Sequence, residues 1–110
     1  MIESTMKRIK ARIQQDRSVT DKTKTELLSL LSVLESEITK LSRTHSEHAQ
    51  SITGFIERST HEATRREKNP ELLNLSLAGL TKSVRGFEAS HPRLVADINS
   101  ICTVLANMGI

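Results

Sequence analysis

Tryptophan and tyrosine are missing from this chain, and Phe55 and Phe87 are its only aromatic residues. Strands of sandwiches and barrels favour aromatic and β-branched residues, so the composition argues against those folds. Base-stacking nucleic-acid modules need aromatic platforms, which this chain does not offer. Cys102 stands alone, so no disulfide can form within the chain, as suits a reducing compartment. The glycines, Gly54, Gly79, Gly86 and Gly109, are scattered and build no phosphate-cradling loop. No Gly-x-Ser-x-Gly elbow occurs. No apolar run approaches the length of a membrane span, and residues 1–7 lack the apolar core of a secretory signal. The expectation is one soluble, cytoplasmic, non-enzymatic domain without a cofactor.

What is present is a long apolar beat. Leu27, Leu31, Leu34, Ile38 and Leu41 alternate four and three apart, and the register runs on through His45, His48, Ile52 and Phe55. A second run comprises Leu73, Leu77, Leu80, Val84 and Phe87, then Leu94, Ile98, Ile101, Leu105 and Met108. A 4-3 repeat places one side chain per turn on a narrow helical stripe, which another helix must cover. No internal sequence repeat is evident beyond these heptads.

The boundaries are readable. Ile2, Met6, Ile9 and Ile13 form the apolar face of a first helix over about Ile2 to Gln15, within a basic segment at 1–17. Ser18 or Thr20 is expected to cap the next helix. From 21 to 68 there is no proline and only Gly54, which predicts one continuous helix of roughly 65–70 Å at 1.5 Å per residue. A competing reading breaks it near Thr44, which has capping-box spacing with Glu47. Asn69-Pro70 marks a helix start, with Arg65, Arg66 and Lys68 at the preceding helix end. A returning helix is predicted over 70–89, kinked or restarted at Pro92 and continuing over 92–108. Gly109 is expected to stop it in the left-handed conformation, with Ile110 folded back on the last turn.

The predicted fold is therefore all-α: a long antiparallel helical hairpin with coiled-coil-like heptads plus a short N-terminal helix. Two helices leave much of each seam exposed, so a homo-oligomer, dimer or tetramer, is expected. Its interface residues would be Leu31, Leu34, Ile38, Leu41, Ile52, Phe55, Leu80, Val84, Phe87, Ile98, Ile101 and Leu105. A further, unidentified protein partner is compatible with this pattern.

The segment Phe87-Glu88-Ala89-Ser90-His91-Pro92 and the ending Asn107-Met108-Gly109-Ile110 closely resemble the small bacterial family catalogued as domain of unknown function 4404. The match is firmest over residues 84–110 and extends from Val19 to His48. The stretch containing His61-Glu62-Ala63-Thr64-Arg65 looks like an extension found in longer members. The resemblance implies a small helical bacterial protein, with no activity and no catalytic residues to carry over.

Candidate sites each have a plainer alternative. His45 and His48, three apart on the stripe, have a workable spacing for two metal ligands. A polar layer that fixes helix register explains them more simply. Glu88 and His91 match a Glu-x-x-His pattern, and a dimer could add Glu57 or Glu62. Pro92 disrupts that helix, and a role for Glu88, Ser90 and His91 in ending and capping helices is preferred. Glu57 with His61 and Glu62 with Arg66 have intrahelical pair spacing, which suffices to explain that charged tip. Net charge is +3, and the excess is local: Lys7, Arg8, Lys10, Arg12, Arg17, Lys22 and Lys24 face only Glu3, Asp16 and Asp21 in the first 25 residues. Lys7, Lys10 and Arg17 could touch nucleic acid weakly, but a helix packed with a solvated basic flank is the default. Cys102 adjoins the stripe and reads as a small buried hydrophobe.

The leading function is a self-associating helical adaptor, structural element or small regulator. The alternatives are a metal-binding bundle using His45 and His48 and a weak nucleic-acid binder using the first helix.

Overall fold

A computed structural model describes residues 2–109. The described residues form helices α1 (Ile2–Gln15), α2 (Asp21–Ser42), α3 (Ser46–Thr64), α4 (Pro70–Ser83) and α5 (Pro92–Met108), with no strand among them. The all-α expectation holds, but the long hairpin does not. The molecule measures 37 × 24 × 22 Å, well short of a 65–70 Å rod.

The predicted 21–68 helix breaks at Arg43-Thr44-His45, between α2 and α3. No proline or glycine forces it. The run Ser42-Arg43-Thr44-His45-Ser46-Glu47-His48 has no apolar residue to bury and is poor in strong helix formers. Folding back there lets Leu41 on one side and Ala49 and Ile52 on the other share one core. The expected capping box is not used, because His45 rather than Thr44 occupies the N-cap position.

Helix directions follow from which residues meet. Lys10 reaches Glu35 at 2.9 Å and Lys24 donates to the Gln14 carbonyl at 3.0 Å, so α1 and α2 are antiparallel. Arg8 meets Glu57 at 3.1 Å and Arg12 meets Thr64 at 2.6 Å, so α1 and α3 run parallel. Helices α2 to α5 close a ring in which α2 touches α3, α3 touches α4, α4 touches α5, and α5 returns to α2. Helix α1 lies against α2 and α3. This is a four-helix bundle with one helix added outside.

The core explains why the seams need no second chain to cover them. Leu27, Leu31, Leu34, Ile38 and Leu41 face Leu94, Ile98, Ile101 and Leu105 within the ring, and Met6, Ile9 and Ile13 close it from α1. Each such side chain contributes roughly 1.5–3 kcal/mol when fully buried. Helix α3 is central, touching every other helix, and its buried face is small: Ala49, Thr53, Ser59, Thr60 and Ala63 beside Ile52 and Ile56. Small side chains allow several helices to approach at once. Thr53 settles its hydroxyl on the Ala49 carbonyl at 2.8 Å.

Several termini match their sequence signals. Thr20 caps α2 by accepting from the Thr23 N–H at 3.2 Å, and Asn69 caps α4 by accepting from the Leu72 N–H at 3.1 Å. Lys68 donates to the Ala63 carbonyl near the end of α3. Others differ. Helix α4 ends at Ser83, not at Ala89, because Gly86 adopts φ +92° and turns the chain. Gly109 is not left-handed, having φ −86°. Its lack of a side chain matters for another reason: a Cβ there would overlap the Leu73 side chain. Ile110 lies outside the described residues.

Candidate functional site

The two inter-helix turns at one end of the bundle meet around Phe87. The ring of Phe87 lies 5.4 Å from His45, 5.4 Å from His48 and 5.7 Å from His91, each contact edge-to-face. His45 and His48 are themselves 5.9 Å apart between ring centroids. Phe87 is buried, whereas His45 and His48 are exposed and His91 half-buried.

The two turns are local copies of one another. His45 opens α3 with φ −134° and ψ 65°, and His91 opens α5 with φ −136° and ψ 62°. Thr44 Oγ1 shares a hydrogen bond with His45 Nδ1 at 2.8 Å, and Ser90 Oγ does the same with His91 Nδ1 at 2.9 Å. The His45 N–H donates to the Leu41 carbonyl at 2.8 Å, and the His91 N–H to the Phe87 carbonyl at 2.7 Å. A hydroxyl residue followed by histidine, four residues after a large apolar residue, is the shared word. A repeat shorter than a heptad escapes a search for apolar periodicity.

The structure thus gathers all the histidine candidates except His61, but around an apolar ring. Glu88 turns away, with its Oε1 accepting from the Gly86 N–H at 2.8 Å. Among the described residues, no group of three or more histidine, cysteine, aspartate and glutamate side chains is arranged to hold a metal ion. The Glu88–His91 ligand pair is also not presented by a helix, since both precede α5.

Every predicted interface residue except Phe55 is buried in the core of this one chain. The reason is a change of register. After the break, α3 buries Ala49, Ile52 and Ile56, so Phe55 rotates to the edge at 38% exposure. There it lies across Gly79 of α4, where any Cβ would collide with its ring. Beside it, α4 exposes Leu72 at 40% and Leu75 at 69%. Glu71, Leu75, Ala78 and Lys82 share the outward face of α4, opposite buried Leu73 and Leu80.

Charged side chains pair both across helices and within α3, and not always with the partners their spacing announced. Glu57 pairs with Arg8 of α1 rather than with His61. Glu62 is buried and takes Arg65 at 2.8 Å and Arg58 at 3.7 Å, while its expected partner Arg66 lies beyond the helix end. Lys10 is neutralised by Glu35. Arg8, Arg12, Arg58 and His61 line a groove of about 470 Å³ between α1 and α3.

Glu37 and Asp97 are both buried between α2 and α5. Burial first, and the Glu37 carboxylate second, raise the Asp97 pKa from 3.8 to about 6. Asp97 Oδ2 has no hydrogen-bond partner among the described residues. Burial likewise pushes the Cys102 thiol up, against a smaller opposing effect of the Thr81 hydroxyl, which makes it a poor nucleophile at neutral pH.

Among the described residues no helix is long and apolar enough to cross a membrane. Comparison with protein families finds one described as a domain of unknown function (DUF4404), matching residues 36–110. The matched region takes in both hydroxyl–histidine turns and Phe87, and leaves α1 and most of α2 outside. No curated protein matches the chain, and no solved structure does.

Proposed function

The chain belongs to the family described as a domain of unknown function (DUF4404), and from that premise we propose that it is a non-enzymatic helical module that binds a second copy of itself through the outer face of α4. The observation that carries this reading is the 69% exposure of Leu75 on the outward face of α4, in a protein whose other described large apolar residues, Val33, Phe55 and Leu72 apart, are buried or half-buried.

The face is self-complementary. Two copies of α4 packed antiparallel about a twofold axis bring Glu71 opposite Lys82 of the partner subunit, and the reverse. The same register sets Leu75 against the small, apolar Ala78 of the partner subunit. Opposite charges at the ends and an apolar centre form an isologous pattern, whereas parallel packing would oppose like charges. One helix pair makes a small interface, below about 1,200 Å² in total, so the dimer is weak and dissociates on dilution. Such a module acts as an adaptor or small regulator whose partner state follows its concentration.

Mass should be measured by light scattering after size exclusion over a range of loading concentrations, with refractive-index detection because the chain has no Trp or Tyr. The expected mass rises from 12.3 kDa toward twice that value. Leu75→Asp should stay monomeric throughout while keeping its melting temperature. A wild-type monomer at millimolar concentration, or a Leu75→Asp dimer, would overturn the reading.

A further inference from the structure

The groove between α1 and α3 has no part in self-association, and it has features that packing does not explain. Its rim carries Arg8, Arg12, Arg58 and His61; Glu57 lines it with them, and buried Glu62 lies 3.7 Å from Arg58 and 4.0 Å from the His61 ring. Arg12 spends its Nε on Thr64 at 2.6 Å, and its two terminal nitrogens have no partner among the described residues. Arg58 pairs with buried Glu62 at 3.7 Å, longer than a hydrogen bond, so its donors stay open to solvent at 64% exposure. Arg8 is held in place by Glu57 at 3.1 Å.

Gly54 is the second, independent observation. It sits inside α3, where glycine costs about 1 kcal/mol relative to alanine. A Cβ there would meet nothing within 4 Å, so no close approach demands glycine. It lines the groove at an exposed position, where a bulky side chain would stand over the opening.

We propose that this groove binds a small molecule bearing phosphate groups. Guanidinium forks match phosphate oxygens in geometry as well as charge, and Arg12 and Arg58 have donors to spare. A volume of about 470 Å³ falls within the range of small-ligand sites. A nucleic-acid backbone is a poorer fit, since the other flank of α1 loses Lys10 to Glu35 and so offers no continuous basic track. Glu57 acts as a gate: it positions Arg8 when the groove is empty and competes with the ligand for it. The site therefore combines Arg8 and Arg12, from outside the family match, with Arg58 and His61 from within it.

Inorganic pyrophosphate and adenosine triphosphate serve as probes, titrated into isotopically labelled full-length protein and followed by amide chemical shifts at constant ionic strength. Saturable shifts confined to residues 8–12 and 54–64 are expected. Equal affinity for both probes assigns the site to the phosphates alone, and tighter adenosine triphosphate binding assigns it to a nucleotide. Gly54→Leu should abolish adenosine triphosphate binding by covering the opening of the groove, with no change in charge and no loss of melting temperature. Arg12→Gln with Arg58→Gln, both at exposed positions, should weaken either probe roughly tenfold or more, the loss expected for charge-assisted hydrogen bonds. Glu57→Gln should tighten binding. The proposal is overturned by no saturable shift at millimolar probe, by unchanged affinity in Gly54→Leu, or by a short DNA duplex that binds in preference with shifts along all of α1.

Discussion

Phe87 and His45 meet edge-to-face with ring centroids 5.4 Å apart, although they belong to different turns far apart in sequence. That contact ties the α2–α3 turn to the segment between α4 and α5. Because His48 and His91 use the same ring, Phe87 is the common anchor of one end of the bundle.

Phe87→Ala should therefore cost about 3 kcal/mol, at the lower end for a buried phenylalanine, because the cavity opens to solvent at its rim. Urea unfolding followed by circular dichroism measures the loss. Amide shifts in the variant should spread to both turns, including residues 44–48. A change confined to residues 84–91 would show that the two turns are independent.

Ile38 and Leu75 make a contrasting pair. Ile38 is fully buried between helices of its own chain, whereas Leu75 stands in solvent. Ile38→Asp should unfold the protein, because a buried unpaired charge costs several kcal/mol. Leu75→Asp should leave the far-ultraviolet spectrum and the melting temperature unchanged. A folded Ile38→Asp variant of halved mass would mean that the apolar stripes are covered between subunits, contrary to the core described above.

The stripe of α2 was legible because its residues are large, apolar and regularly spaced, from Leu27 to Leu41. Asn69-Pro70 and Thr20 were legible because capping is a local interaction between near neighbours. The break after Ser42 was legible only as the competing reading near Thr44, since His45 and His48 happen to prolong the numerical register although neither is buried. Reading only large apolar residues then placed Phe55 in the seam and missed Ala49, Thr53, Ser59, Thr60 and Ala63, the small residues that face the core. The stop at Gly86 was hidden for a similar reason: Val84 and Phe87 stay buried after the helix has ended. The groove depends on α1 lying parallel to α3, and nothing in the spacing of Arg8 or Glu57 encodes that pairing. Only the basic bias of the first segment pointed toward it.

Gly54→Ala isolates the backbone cost of a glycine inside α3 beside the groove. The added methyl meets no neighbour, and alanine loses less conformational entropy in a helix interior. The variant should gain about 0.5–1 kcal/mol, seen as a melting temperature higher by roughly 2–6 °C. Thermal unfolding by circular dichroism tests this directly. A destabilised variant would mean that Gly54 has a packing role.

Asp97 sets the direction of the acid response. Its pKa in the folded protein is raised to about 6 from the usual 3.8, chiefly because burial disfavours the charged form and secondarily because Glu37 is near. Between those two values the folded chain holds a proton that the unfolded chain has released. Stability contributed by this group therefore falls as pH rises from about 4 to 6 and is level above that range. One pK unit corresponds to about 1.4 kcal/mol, and partial solvation of the site reduces the whole effect to on the order of 1–2 kcal/mol. Asp97→Asn carries no titrating group, so it should flatten this slope and be more stable than the natural protein at pH 7. Urea midpoints at pH 4, 5, 6 and 7 for both proteins provide the test. If the difference between the two proteins stays constant across that range, Asp97 titrates at the same pH folded and unfolded, and its burial carries no electrostatic cost.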